Sequence, residues 1–210
     1  HWQDVLEQHF PIHDKDEHQK NVCIGQFQDV VTNLLAAFRE IQKEPTEFQE
    51  LVKGEGKGID VPMGGFVDVT AKDSIIEIKT QWSTATGIFN KDGSLRLRKP
   101  SKTETPQKSH LRQVATYSNA AEKPPILIVA NAFEYTVFDD MNTEFLRKKE
   151  LKHAFETMRL SARARQNLLK ISDDPKVLAN FVPLNLMHFV WKELDEEVLR
   201  EIMEIWGVET

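Results

Sequence analysis

Two short segments of the chain carry charged residues at positions where the side chains can act together. Residues 65–70 and 74–80 are rich in β-branched residues and are joined by a turn-like link, which predicts an antiparallel hairpin. The hairpin would fold Asp68 back beside Glu77, and alternation along a strand would point Glu77 and Lys79 to the same face. Two carboxylates are suitable ligands for Mg²⁺ or Mn²⁺, and a lysine beside such an ion can orient a water molecule or stabilise developing charge.

A predicted helix over residues 110–121 adds two polar side chains to this set. Gln113 and Tyr117 are four residues apart, so they share one face of the helix. An amide and a phenol that point together can hold a phosphate or a base. Taken alone these patterns are weak, since a Glu-x-Lys pair on a strand is usually a solvated pair. The ordered combination of Asp68, Glu77 and the following helix is much more specific.

These residues also resemble the signature motifs of a known family. Gly65-Phe66-Val67-Asp68 is similar to a G-x-x-D signature, Glu77-Ile78-Lys79 to an E-x-K signature, and Gln113 to Tyr117 to a Q-x-x-x-Y helix. In this order they resemble the PD-(D/E)XK nuclease superfamily, in its RecB-like exonuclease branch, which includes mitochondrial genome maintenance exonucleases and phage exonucleases. The resemblance covers residues 24–140. It implies an α/β fold with a restriction-endonuclease-like core, in which helices flank a mixed central β-sheet.

The resemblance implies a role for each of the motif residues. Asp68, Glu77 and Lys79 would be catalytic, with the two carboxylates holding one or two Mg²⁺ or Mn²⁺ ions and Lys79 positioning or activating the attacking water. Gln113 and Tyr117 would hold the DNA strand near the scissile phosphate.

The resemblance implies further metal ligands outside the motifs. One is the main-chain carbonyl of Ile78, and another is an upstream acidic residue, for which we expect Glu50, with Glu47 as the second choice. Asp29 stands where the branch often carries a histidine on its first helix. Either this carboxylate is a ligand in place of the imidazole, or a histidine-dependent second metal is absent.

Basic residues are concentrated beside the predicted site. The chain has a net charge of −6, but residues 91–112 contain seven basic and two acidic side chains, and residues 144–170 contain eight and three. Basic side chains with interspersed aromatic residues favour a groove for single-stranded nucleic acid, and a solubilising surface hairpin is the plainer alternative. The predicted DNA-binding side chains of this region are Trp82, Arg96, Arg98, Lys99, Lys102, Lys108 and Arg112.

The remaining periodicities are typical of an α/β chain. We expect a nuclease domain over residues 1–171, with a basic hairpin and loop insertion at about 83–109, and an acidic C-terminal helical extension over 172–210 that packs on this core. The other predicted elements are helices over 24–42, 143–170 and 192–206, strands over 47–53, 126–131 and 133–138, and a second hairpin over 86–98.

Composition narrows the class of protein further. The 210 residues are 40% hydrophobic and 29% charged, which indicates a folded chain, and no apolar run is long enough to span a membrane. The single cysteine excludes a disulfide framework and a thiolate zinc site. We expect a core thiol at Cys23, no zinc site at His9, His13 and His18, and packing roles for Trp191 and Trp206.

Together these observations predict a metal-dependent DNA exonuclease that acts on single-stranded or frayed ends in DNA replication, recombination or repair. We expect a soluble intracellular monomer, in bacterial or phage-infected host cytoplasm or in the mitochondrial matrix. Two alternatives stay open: a structure-specific or restriction-type endonuclease of the same fold, and a nucleic-acid-binding module without catalysis. The intact Asp68, Glu77 and Lys79 set disfavours the second, and the Q-x-x-x-Y helix disfavours the first.

Overall fold

The computed structural model describes residues 14–182 and 195–208. The strands are β1 (Pro45–Gly54), β2 (Met63–Ala71), β3 (Ile75–Thr80), β4 (Thr84–Phe89), β5 (Leu95–Arg98), β6 (Pro125–Ala130) and β7 (Tyr135–Phe138). The helices are α1 (Asp14–Ile41), α2 (Lys108–Ala121), α3 (Lys148–Leu169), α4 (Pro175–Ala179) and α5 (Glu196–Ile205), with a 3₁₀ turn over Glu144–Leu146.

Five strands form a mixed central sheet in the order β1-β2-β3-β6-β7. All neighbours are antiparallel except β3 and β6, which pair in parallel from Ile75 opposite Pro125 to Thr80 opposite Ala130. A parallel pair needs a long crossover, and here the crossover contains the β4–β5 hairpin and α2. Strand β6 is buried along its whole length, which matches its uninterrupted apolar sequence.

Helix α1 covers one face of the sheet. Its side chains Leu34, Ala37 and Phe38 recur at helical spacing and pack with Ile76 and Ile128 from the sheet. The helix ends at Ile41, where Gln42 adopts a left-handed conformation with φ of 52° shortly before Pro45. The helix thus begins ten residues before the predicted start at residue 24, because its first turns are too polar to show an apolar stripe.

Helix α2 covers the opposite face. Val114 packs with Leu127 and Val129, the residues that alternate with those facing α1, and Tyr117 packs with Val67. The chain is therefore an α/β protein in which helices flank a mixed central sheet, as the sequence predicts. The predicted strands, both hairpins and the helix over 110–121 are confirmed to within two residues at each end.

The C-terminal part of the chain differs in detail from the predicted helices. The helix predicted over 143–170 begins as the 3₁₀ turn, whose Thr143 side chain accepts a hydrogen bond from the Phe145 N–H, and α3 follows from Lys148. The tail helix α5 spans Glu196–Ile205, so the predicted residues 192–194, like Trp191, lie outside the described residues. No helix in the described ranges has the length and apolar character needed to cross a membrane.

The chain divides into two compact units. The first comprises residues 1–55 and 62–156, and the second comprises residues 56–61 and 157–210. In the second unit the loop over 56–61 is bound to α3: the Asp60 N–H donates to Gln166 Oε1 at 2.7 Å, and Arg159 donates to the Lys57 carbonyl at 2.6 Å. The domain boundary at residue 171 and the packing of residues 172–210 on the core stay predictions.

Candidate functional site

The hairpin of β2 and β3 positions the first two predicted site residues. The strands pair with Thr70 opposite Ile75 and Val69 opposite Ile76, which brings the next residue of β2, Asp68, to β3. Asp68 Oδ2 accepts a hydrogen bond of 2.8 Å from the Ile78 N–H. Asp68 thus lies beside the strand segment that carries Glu77 and Lys79, as the hairpin predicts.

Glu77 and Lys79 share one face of β3. Lys79 Nζ lies 2.6 Å from Glu77 Oε1, and the Glu77 side chain is only 3% exposed whereas that of Lys79 is 25% exposed. Ile76 and Ile78 point to the other face, into the core beneath α1. The glutamate is therefore a buried carboxylate with its counter-charge beside it.

Helix α2 adds Gln113 and Tyr117 to the same cluster. Gln113 Nε2 donates to Glu77 Oε1 at 2.7 Å and to the Tyr117 hydroxyl at 3.1 Å. The two side chains do share a helix face, and Gln113 contacts the carboxylate itself. Gln113 is thus in a position to fix the orientation of Glu77, in addition to the predicted contact with DNA.

Gly65 allows the tyrosine to approach the sheet. A Cβ atom at position 65 would lie 2.7 Å from the Tyr117 hydroxyl and 2.9 Å from its Cε1. The G-x-x-D signature therefore has a steric basis here, since only glycine leaves room for the Tyr117 ring against β2.

The electrostatics of the cluster centre on Glu77. Burial raises the pKa of Glu77, the hydrogen bond from Lys79 opposes this, and the negative charge of Asp68 adds to the rise. Glu77 Oε2 is buried and has no hydrogen-bond partner. An unpartnered buried carboxylate oxygen beside a second carboxylate is the arrangement that a divalent cation would satisfy. Mg²⁺ needs only one or two protein carboxylates when water and substrate phosphate supply the rest, so Asp68 and Glu77 fit such an ion.

The hydrogen bonds of the structure do not bring the other predicted metal ligands to Asp68 and Glu77. Glu50 Oε2 accepts a 2.5 Å hydrogen bond from Thr70 Oγ1, and Glu47 and Asp29 are exposed. In residues 14–182 and 195–208, no three His, Cys, Asp or Glu side chains are close enough together to hold a metal ion. The ligand roles of these acidic residues and of the Ile78 carbonyl stay predictions.

The predicted basic side chains of the crossover are accessible. Lys99 Nζ lies 4.3 Å from the centroid of the Phe133 ring, which is 50% exposed in the turn after β6. Trp82 is half-buried. The exposed cationic side chains are Arg96, Arg98, Lys99, Lys102, Lys108 and Arg112. Their exposure is compatible with binding a polyanion, and DNA binding stays a prediction.

Two glutamines of α1 hold the start of the β4–β5 hairpin. Gln26 donates to Ser83 Oγ at 2.8 Å and accepts from the Ser83 N–H at 3.1 Å. Gln19 donates to the Ser83 carbonyl and accepts from the Ala85 N–H. The basic insertion is therefore attached to the core at its base, a feature that sequence patterns do not reveal because the partners are 57 or more residues apart.

The cysteine agrees with its predicted role, and of the three N-terminal histidines only His18 is described. Cys23 is a buried free thiol, and burial raises its pKa, so it is a core residue as predicted. His18 packs edge-to-face on Phe89. His9 and His13 lie outside the described residues. Trp206 donates its indole N–H to the Val182 carbonyl at 2.8 Å, in keeping with a packing role.

Sequence reasoning missed two residues on the segments that carry the site. His110 lies one turn before Gln113 on α2, and Gln81 follows Lys79 by two residues; each carries a buried side-chain atom without a hydrogen-bond partner. The three-residue spacing of His110 and Gln113 could have indicated that the histidine lies near the site, because residues three apart share a helix face.

No family model matches the chain, and comparison with curated proteins and with solved structures gave no significant match.

Proposed function

We propose that the chain is a metal-dependent DNA exonuclease with a restriction-endonuclease-like core, similar to the RecB-like branch of the PD-(D/E)XK nucleases. The observation that carries the proposal is the state of Glu77. This carboxylate is buried, it is bonded by Lys79 and Gln113 through one oxygen, and its other oxygen has no partner. Buried carboxylate oxygens are nearly always hydrogen-bonded, so an unpartnered one is available to a cation.

Each residue of the cluster has a chemical task in this proposal. Asp68 and Glu77 would hold Mg²⁺ or Mn²⁺, which when bound polarises the phosphate and lowers the pKa of water. Lys79 would orient the water and stabilise the negative charge that develops on the phosphate. Gln113 holds Glu77 in place through their 2.7 Å hydrogen bond.

The basic crossover supplies the expected binding surface. The exposed cationic side chains of residues 91–112 would contact the DNA backbone, and the aromatic residues Trp82 and Phe133 would stack on bases. Because the net charge of the whole chain is −6, we expect weak binding to uniform duplex and preference for a confined single strand or frayed end.

The test is a cleavage assay on linear single-stranded and double-stranded DNA labelled at the 5′ or 3′ end, with a circular single strand as a second substrate. With Mg²⁺ or Mn²⁺ the wild type should degrade linear DNA and leave the circle intact, and EDTA should abolish cleavage. Cleavage of the circle would instead indicate the endonuclease. Metal-independent binding with no cleavage of any substrate would indicate the binding module.

Two variants assign the activity to the cluster. Glu77→Ala and Lys79→Ala should each abolish Mg²⁺-dependent cleavage while leaving DNA binding largely intact. The matched control is Lys43→Ala, which also removes a lysine bonded to a carboxylate, that of Asp73, but in an exposed pair at the turn between β2 and β3. Cleavage should survive this change. Equal cleavage by all three variants would refute the assignment.

A further inference from the structure

Three buried side-chain polar atoms of the described residues have no hydrogen-bond partner. They are Glu77 Oε2, Gln81 Oε1 and His110 Nδ1. Nearly all buried polar side-chain atoms in folded proteins are hydrogen-bonded, so unpartnered ones point to a ligand that the fold is built to receive. All three belong to β3, the residue just after it and the first turn of α2, which are the elements that carry the proposed catalytic cluster.

His110 is the member of this group that the proposed mechanism does not use. It precedes Gln113 by three residues on α2 and so lies on the same helix face, and Gln113 Nε2 donates to Glu77 Oε1 at 2.7 Å. The ammonium of Lys79 is near enough to act on the imidazole, and burial and this charge both lower the pKa of His110. Both effects favour the neutral ring, which holds one N–H and one lone pair.

A neutral imidazole with an unsatisfied nitrogen is suited to a phosphate oxygen. In the tautomer with its hydrogen on Nδ1, it donates a hydrogen bond without adding a second positive charge beside Lys79. Water is the alternative partner of this nitrogen, and the DNA-binding comparison below distinguishes it from a phosphate.

We propose that His110 is a substrate-binding residue whose Nδ1 donates a hydrogen bond to a phosphate oxygen of the DNA strand that enters beside Lys79. This inference rests on the proposed nuclease function and deepens it. It adds a contact that neither the charge of the basic crossover nor the Glu77 cluster provides.

The decisive comparison is His110→Leu with His110→Asn in the full chain. Leucine removes the buried unpartnered nitrogen, so the thermal unfolding midpoint should stay the same or rise. The KM for a linear single strand should rise about tenfold, as expected for the loss of a hydrogen bond to a charged group, with a smaller change in kcat. Asparagine places an amide nitrogen close to the position of Nδ1 and should restore most of the affinity.

The control is Thr116→Val on the same helix. Thr116 is buried but its hydroxyl already donates to the Arg112 carbonyl at 2.9 Å, so this change should leave KM at the wild-type value. The proposal is wrong if His110→Leu has the wild-type KM, or if its activity and unfolding midpoint fall together and asparagine rescues neither.

A separate binding measurement distinguishes this failure from failure of the proposed function. Fluorescence anisotropy with a labelled single strand in EDTA reports binding without cleavage. If the wild type binds DNA but never cleaves it, the nuclease proposal fails, and weaker binding by His110→Leu still supports the histidine contact. If the wild type cleaves and His110→Leu cleaves and binds equally well, only the histidine proposal fails. If the wild type neither cleaves nor binds, both fail.

Discussion

Replacing Gly65 with alanine should push the Tyr117 ring away from β2. The new Cβ would lie 2.7 Å from the tyrosine hydroxyl and 2.9 Å from Cε1, both shorter than real Cβ contacts allow. The ring has little freedom to retreat, because it is buried with Val52, Val67 and Ile75. Gly65 has no positive φ angle, so the clash with the ring is the cost of the substitution.

The expected loss of stability follows from two opposing effects. Adding a methyl group to a packed site costs about 1–3 kcal/mol, and replacing glycine lowers the entropy of the unfolded chain, which returns about 0.4–1 kcal/mol. The free energy of unfolding should therefore fall by about 1.3 kcal/mol, the midpoint of a range from about 0 to 2.6 kcal/mol. Cleavage should fall as well, because Gln113 bonds both the tyrosine hydroxyl and Glu77.

The assay is urea unfolding of a double-mutant cycle with Gly65→Ala, Tyr117→Leu and the double variant. In the leucine background the ring is gone, so Gly65→Ala should be neutral or slightly stabilising. Gly25→Ala is the matched control, since Gly25 lies in α1 and a Cβ there meets no atom within 4 Å. That variant should be more stable than the wild type by about 0.5–1 kcal/mol.

The reasoning is refuted if Gly65→Ala has the same effect in both backgrounds. Independent sites add to within about 0.3–0.5 kcal/mol, so a smaller coupling energy would mean that the added methyl group does not clash with the Tyr117 ring. A stabilised Gly65→Ala protein would contradict the steric argument, and a destabilised one with wild-type cleavage would contradict the role of Gln113 in positioning Glu77.

Three further predictions follow from buried polar groups. Since burial raises the pKa of Glu77, the metal-free protein should lose stability as pH rises from the ordinary glutamate value of 4.5 through the raised pKa, and Glu77→Gln should remove this loss in urea unfolding. Asn131→Ala should cost about 1–3 kcal/mol in urea unfolding, because the buried Asn131 Oδ1 accepts the N–H groups of Phe133 and Glu134. Cys23, whose thiol is buried with a raised pKa, should react with a thiol reagent far more slowly in the folded than in the unfolded chain.

Each of these expectations has a contradicting result. A pH profile that is the same for the wild type and Glu77→Gln would mean that the carboxylate is not desolvated in solution. An Asn131→Ala protein of unchanged stability would mean that water replaces the lost acceptor. Equal reaction rates of Cys23 in buffer and in urea would mean that α1 opens readily around this thiol.

Short-range patterns predicted the parts of the fold and site that depend on neighbouring residues. Alternation along β3 placed Glu77 with Lys79, and helical spacing placed Gln113 with Tyr117, because both periodicities act over four residues or fewer. The turn between β2 and β3 is short, so the approach of Asp68 to β3 was also predictable.

Contacts between distant segments escaped the same reasoning. The bond from Gln113 to Glu77 joins residues 36 apart, and the glutamine contacts to Ser83 join residues 57 or more apart. The bond from Thr70 to Glu50, whose role as a metal ligand stays a prediction, joins residues 20 apart. The unpartnered nitrogen of His110 depends on how α2 packs on the sheet, which periodicity does not encode.

The parallel pairing of β3 with β6 also sets the order in which the protein becomes complete during synthesis. Asp68, Glu77, Lys79, Gln113 and Tyr117 all precede Pro125, so a nascent chain contains every proposed catalytic side chain before β6 is made. Yet β6 is the wholly buried strand that pairs with β3 on the side opposite β2, so β3 has both of its neighbours only once β6 is present. The proposed site can therefore be complete only after the segment through Ala130 has left the ribosome, so every shorter nascent chain lacks a working site.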